Sequence, residues 1–316
     1  MTIHVSCPIC RGNNTRFLFE KENCAFVECR NDKMVYITPQ PEPAVLKDLY
    51  DNYGKECFTQ PEYTSDYADF PDYREKFLQF KKTNRLLEIG ASSGNFLIKC
   101  REDGWQVEGV ELSGPSSEYA RKHRGLNVRT GTIHEAKLAS GSFDIVVAWA
   151  TIEHVPDPRE VIAEAFRLLR PGGLFVLSVP NWGGVSYRLL GPKHRYVGHD
   201  HLFYFSERNS VMLLKDIGFT TVRTHSRDFN PFVFWQDWRG LLSQELKIHE
   251  DPQRSSRALE LKRSEQSHRK GILKMVPRPL LSSGYHALSR AMGKLHLGDI
   301  LFVEGVKKSG NDAGSL

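Results

Sequence analysis

The sequence predicts a doubly wound α/β fold with a mostly parallel sheet, on two observations. Residues 85–111 read as an apolar strand, a tight glycine turn, a helix and a second strand that ends in an acid. Beyond them, strand-like and helical segments alternate as far as residue 226, the pattern that buries a parallel sheet between two helical layers.

Leu86, Leu87 and Ile89 suit a strand covered on both faces, and Gly90-Ala91-Ser92-Ser93-Gly94 lets the backbone turn where a side chain would obstruct a ligand. The helix expected at 95–103 offers free N–H groups at its start, and the strand at 106–111 delivers Glu111 to the same edge. A carboxylate there can accept both hydroxyls of a ribose. Further elements are expected as helix 116–123, strand 127–130, strand 143–148, helix 158–169, strand 173–179, helix 206–216, strand 219–226 and strand 299–307. Ligands of such sheets bind at the carboxyl ends of the strands, where Gly90, Glu111 and Trp149 all fall.

The turn is not a dinucleotide fingerprint. That fingerprint needs glycine in the middle position, which is Ser92 here, and Phe96 stands near the place of its third glycine.

At 316 residues the chain exceeds a single core, and five segments are expected. They are a cysteine-bearing module at 1–41, an aromatic linker and pocket cover at 42–82, the α/β core at 83–231, a basic helical insertion at 232–297, and a closing strand and tail at 298–316. No run matches the ~20 apolar residues of a membrane span, and the start lacks the regions of a signal peptide, so a cytoplasmic location is expected. The formal charge is +5, but residues 239–297 carry twelve Lys or Arg against five Asp or Glu, leaving the rest at about −2. A basic, proline-interrupted, apolar stretch of this kind suits either contact with an anionic membrane surface or an inserted helical lid.

Four of six cysteines lie in the first thirty residues, which in a cytoplasmic chain points to metal before disulfide. Cys7-Pro8-Ile9-Cys10 is a knuckle, and a second pair of ligands would complete a tetrahedral zinc site. Two sets are open. One is Cys7, Cys10, Cys29 and Asp32; the other replaces Asp32 with Cys24. A ribbon that has lost its metal and survives on aromatic packing is the plainer alternative.

Several motifs together resemble class I S-adenosylmethionine-dependent methyltransferases of the ubiquinone-type branch. They are Glu88-x-Gly90-x-x-x-Gly94 with Glu111, the strand Phe143 to Val147, residues 149–158 (WATIEHVPDP), and the run Leu168 to Val176. The resemblance implies a Rossmann-like sheet of seven strands, closed by the antiparallel strand Asp299 to Val303. It also implies S-adenosylmethionine around Glu88, Gly90, Gly94, Glu111, Leu112, Thr132, Ile133, Trp149 and Ala150. Members of the branch carry an amino-terminal zinc ribbon followed by Pro-x-Pro, matched here by Pro39-Gln40-Pro41, with Asp32 in the place of the last cysteine.

Methyl transfer needs an aligned nucleophile and a group that takes its proton, a task suited to histidine. The run His194 to Ser206 resembles the H-x-x-x-F-S signature of the family, with His201 at the matching position. His199 and His201 are the candidate bases, while Glu153-His154 is open between helix-start packing and a substrate role. The expected acceptor is a small molecule or glycan, methylated on oxygen or carbon. An RNA base is the alternative, opposed by the placement of the basic charge far from the cysteine module. Oligomeric state is not legible.

Overall fold

A computed structural model describes residues 2–58, 71–194, 196–227, 229, 234–235, 238, 292–293 and 295–309. Nearly all of the basic 232–297 segment, and Tyr63, Tyr67 and Phe70 of the aromatic linker, lie outside the described residues.

The chain begins with β1 (Thr2–Ile3), the hairpin β2 (Thr15–Lys21) and β3 (Cys24–Cys29), then β4 (Val35–Ile37) and β5 (Gln40–Pro41), which pairs back onto β1. Two helices follow, α1 (Pro43–Phe58) and α2 (Pro71–Phe80). The α/β core comprises β6 (Arg85–Ile89), α3 (Asn95–Glu102), β7 (Gln106–Glu111), α4 (Gly114–Arg124), β8 (Asn127–Thr130), β9 (Phe143–Trp149), α5 (Pro158–Leu168) and β10 (Leu169–Pro180). After α6 (Val185–Leu190) come β11 (Phe203–Tyr204), α7 (Glu207–Ile217), β12 (Phe219–Arg227) and β13 (Ile300–Lys307).

Seven strands form one sheet in the order β12-β13-β10-β9-β6-β7-β8. Strands β6 to β10 are mutually parallel, and β13 runs antiparallel to both β10 and β12. This is the Rossmann-like methyltransferase architecture. The strands read as unbroken apolar runs because both faces are covered, and every residue of β9 is buried. One face packs Tyr73, Phe77, Leu86, Phe96, Val147 and Phe302; the other packs Leu87, Val146, Ile162, Phe175 and Leu213.

Asp144 pins the entry to the sheet. Its Oδ2 accepts from the N–H groups of Lys82, Thr83 and Asn84 at 2.9, 2.8 and 2.7 Å, and its Oδ1 takes Arg170 Nε. Burial opposes the charge, but the guanidinium and the three N–H groups hold this carboxyl below its ordinary range.

Two segments differ from their sequence reading. Residues 170–172, left between the expected helix 158–169 and the expected strand 173–179, are taken into β10, where the ladder with β9 shifts register between Leu169 and Leu174. Phe203-Tyr204, read as part of an active-site loop, is a strand that pairs with β4 and completes a four-stranded sheet, β11-β4-β3-β2. Three successive aromatic side chains there, Phe203, Tyr204 and Phe205, are buried, and only a fixed backbone can bury all three.

Candidate functional site

Gly90 and Gly94 adopt φ of +75° and +83°, and Ser92 between them sits at +47°. Glycine is required at Gly90 on two counts, because an added Cβ would also lie 2.3 Å from Thr151 Oγ1. Gly90 N–H and Ala91 N–H donate to Val110 O at 2.8 and 3.1 Å, tying the turn to the end of β7. Glu111 closes the arrangement, its carboxylate accepting from Ser92 N at 2.8 Å and Ser113 N at 2.7 Å. Burial raises its pKa, and the two N–H groups oppose that rise. Glu88, under the turn, is buried, and desolvation together with the nearby Glu111 pushes its pKa well up. Its Oε2 meets no partner among the described residues.

The other cofactor candidates spread along the same edge. Leu112 follows Glu111 and is half-buried. Thr132 is exposed, donating through N and Oγ1 to Glu135, and Ile133 beside it is buried. Trp149 ends β9 with its ring edge-on to Phe96 at 5.4 Å and tilted on Tyr73 at 5.5 Å, and is thus part of the apolar layer under α3. Ala150 takes a φ of +44°, which breaks the strand and turns the chain toward Thr151. Helix α1 approaches from outside: Asp51 Oδ1 accepts from Gly114 N at 2.8 Å at the start of α4.

Beyond Thr151, a 3-10 turn (Ile152–His154) brings Glu153 and His154 beside His201. One ligand-capable atom from each of these three lies within 4.8 Å of the others. The imidazoles of His154 and His201 meet edge-to-face at 4.7 Å, and Tyr50 of α1 stands 6.0 Å from His154. His154 Nδ1 contacts Asp200 O at 2.6 Å; a carbonyl can only accept, so Nδ1 carries the proton and Nε2 faces Glu153 Oε1 at 3.9 Å. Burial drives Glu153 up to about 7 and His154 below its ordinary range. Glu153 Oε2 and His201 Nδ1 are buried without a partner among the described residues. His199 lies apart from this cluster, half-exposed, with Nδ1 2.8 Å from Glu22 Oε2 of the β2–β3 hairpin.

Glu153 and His154 were ambiguous in the sequence because what defines them is contact with His201, which only the folded loop supplies. An acid next to a histidine ahead of a helix was the available signal.

The amino-terminal cysteines form a second cluster. Cys7, Cys10, Cys29 and Asp32 present ligand atoms within 4.8 Å of one another. Cys7 Sγ lies 3.1 Å from Asp32 Oδ2, Cys29 Sγ 3.3 Å from the same oxygen, and Cys10 Sγ 3.5 Å from Cys29 Sγ. A tetrahedral zinc with bonds of ~2.3 Å to sulfur and ~2.0 Å to oxygen sets ligand separations of about 3.5–3.8 Å, so this donor set fits such an ion.

The two halves are built alike. Arg11 N donates to Cys7 O at 2.9 Å and Lys33 N to Cys29 O at 3.0 Å, and Arg11 and Lys33 both turn left-handed, with φ of +58° and +65°. Asp32 therefore occupies the position in its turn that Cys10 holds in the other. Cys24, across from Lys21 at the start of β3, is outside the cluster. Of the two sets open in the sequence, the fold assembles the one with aspartate.

A seven-stranded sheet with this order, a glycine turn after its first parallel strand and a half-buried acid at the end of the next define a class I S-adenosylmethionine-dependent methyltransferase. The chain belongs to the Methyltransferase domain family, which matches residues 62–224. It is 27% identical over 162 residues to the ubiquinone biosynthesis O-methyltransferase of Thiobacillus denitrificans, covering 47% of this chain and 70% of the relative. The enzyme of the same name from Psychrobacter arcticus is 28% identical over 185 residues, covering 53% and 71%. In fold, the chain is similar to the 4+2 cyclase SpnF, with a TM-score of 0.53 at 15% identity over 86% of this chain and 98% of that one. No helix among the described residues is long and apolar enough to cross a membrane.

Proposed function

We propose that this enzyme transfers the methyl group of S-adenosylmethionine to a small-molecule or glycan acceptor, and that the acceptor's proton leaves through Glu153, His154 and His201. The observation that carries the reading is the meeting of buried Glu153 and His201 with half-buried His154 just past the end of β9, next to the segment that touches the glycine turn. Bound at Glu88, Gly90, Gly94 and Glu111, the cofactor supplies a methyl carbon already activated by positive sulfur. The chain's own work is alignment and proton removal.

His201 Nδ1 can accept a hydrogen bond from a hydroxyl laid against it. A carboxyl near 7 beside an imidazole held low shares protons readily, so the cluster can take one proton without creating an isolated buried charge. The names of the curated relatives favour oxygen as the methylated atom. Leu112, Thr132, Ile133, Trp149 and Ala150 complete the cofactor side in this reading, and His199 contributes at the loop surface. Zinc in the Cys7, Cys10, Cys29 and Asp32 set, supplying a fixed point for the amino-terminal strands, completes it.

Calorimetry with S-adenosylhomocysteine tests the cofactor site. Radiolabelled methyl transfer into fractionated metabolites, glycans and RNA tests the acceptor class, and label confined to RNA would overturn the small-molecule reading. His201→Ala should retain S-adenosylhomocysteine binding and lose about 10²–10⁴-fold in turnover; unchanged turnover at saturating acceptor would remove His201 as the base.

A further inference from the structure

The cysteine module and the histidine loop are one mechanical unit. Strand β11, two residues beyond His201, pairs with β4, with Phe203 opposite Tyr36 and Tyr204 opposite Val35. Ile37 N donates to Leu202 O at 3.1 Å, and buried Gln40 donates Nε2 to the same carbonyl at 3.4 Å. Leu202 N in turn donates to Glu153 O at 2.8 Å, so Leu202 is clamped between the amino-terminal strands and the turn that carries Glu153 and His154.

The other end of β4 is set by the cluster. Asp32 Oδ1 accepts from Met34 N at 3.0 Å, and Cys29 N donates to Met34 O at 2.8 Å, so the residue that opens the path into β4 is held on both sides by ligand-bearing residues. Upstream of His201, Lys21 of β2 donates to Pro192 O at 2.7 Å and also to the carbonyls of His194 and Val197. The first knuckle is anchored separately: Arg159 of α5 donates to Pro8 O and Ile9 O at 2.9 and 2.8 Å.

We propose that metal held by Cys7, Cys10, Cys29 and Asp32 fixes the position of His201, so that these four are positioning residues for the acceptor side and not merely the core of an appended ribbon. The proposal rests on the zinc reading above. Its path runs from the second ligand turn through Met34 and β4 to β11 and Leu202, and from there to both partners of His201. The cofactor side has a separate support, since Gly90 to Glu111 are held by β6, β7 and α4. Loss of metal should therefore loosen one half of the site and spare the other.

The test uses the full chain purified with zinc, its Cys10→Ser variant, and the wild type after chelation and after zinc is restored. Zinc per chain, hydrogen exchange by peptide, and S-adenosylhomocysteine affinity are measured on each. Wild type should hold about one zinc. Cys10→Ser and chelated protein should lose it and exchange amides in 202–205 at least tenfold faster, with exchange in 85–111 and cofactor affinity within twofold of wild type. Zinc should reverse the change in chelated wild type. Asp32→Cys, which restores a four-thiolate set, should keep both zinc and loop protection.

Zinc loss with unchanged exchange at 202–205 overturns the coupling while leaving the zinc reading intact. Far less than one zinc in wild type removes both. Loss of protection at 85–111 together with the loop, in variant and chelated protein alike, also overturns the proposal, because the module would then support the whole fold.

Discussion

Glu153 offers a direct measurement of how the proposed acceptor side is built. Its side chain is 1% exposed, and burial lifts its pKa from 4.5 to about 7. The unfolded chain therefore releases this proton as pH rises past about 4.5, whereas the folded protein keeps it until about 7. Within that window the native state binds more protons, so stability falls as pH rises, and the loss is complete once the folded group has ionised. The gap corresponds to about 3 kcal/mol at ~1.36 kcal/mol per pKa unit. Glu153→Gln keeps the volume and removes the titration. Urea unfolding of both proteins at pH 5, 6, 7 and 8 should show the variant gaining on wild type by up to about 3 kcal/mol across the series, on top of any constant offset from altered hydrogen bonding. Burial already holds His154 below its ordinary range, so its titration belongs to the acid end. A difference between the two proteins that stays constant from pH 5 to 8 refutes the reasoning.

Gly90→Ala forces a side chain into left-handed backbone and onto Thr151, so S-adenosylhomocysteine affinity should fall more than tenfold by calorimetry, with part of it restored in a Thr151→Ala background. Asp144→Ala strands three N–H groups and leaves the Arg170 charge, itself 8% exposed, without its carboxylate. That should cost about 3–5 kcal/mol in chemical denaturation, and a loss under 1 kcal/mol would contradict the role given to it. Cys24→Ser should leave zinc content unchanged, whereas Cys29→Ser should abolish it; equal loss in both would return Cys24 to the ligand set.

The cofactor half of the site was legible because it is local. Strand β6, its turn and strand β7 are consecutive, and each feature that matters, a residue free to turn left-handed or an acid at a strand end, is written in a single residue such as Gly90 or Glu111. That the sheet would be mostly parallel followed from the alternation of strands and helices along the chain. The proposed acceptor half was only partly legible. His201 was singled out, but its partners Glu153 and His154 come from another loop, and pairing across that distance leaves no mark in periodicity. Phe203 and Tyr204 look like loop residues because a two-residue strand has too little alternation to show, and its partner β4 lies at the far end of the sequence. The choice of Asp32 over Cys24 was likewise beyond spacing alone. Cys24 has the better donor, but only the repeated turn geometry at Arg11 and Lys33 shows which residue faces the other three.

The division between halves bears on what the fold can decide. The 4+2 cyclase SpnF shares this architecture, so the sheet by itself does not assign a reaction. In the function proposed above, it is the conjunction of a seat at Gly90 to Gly94 with titratable groups across Thr151 that would assign it. That residue is the physical joint, since its hydroxyl donates to Ile89 O at 3.3 Å and Trp149 O at 2.9 Å while its side chain fills the space above Gly90. Glu153 follows two residues later, so the distance between the glycine turn and the Glu153, His154 and His201 cluster is set by one short, well-bonded segment. A displacement there would change alignment before it changed either affinity, because neither Glu111 nor His201 is held by Thr151. Thr151→Val, which keeps the bulk and removes both hydrogen bonds, should therefore lower turnover more than it weakens S-adenosylhomocysteine binding; an equal fall in both would mean that the two halves are not separately supported.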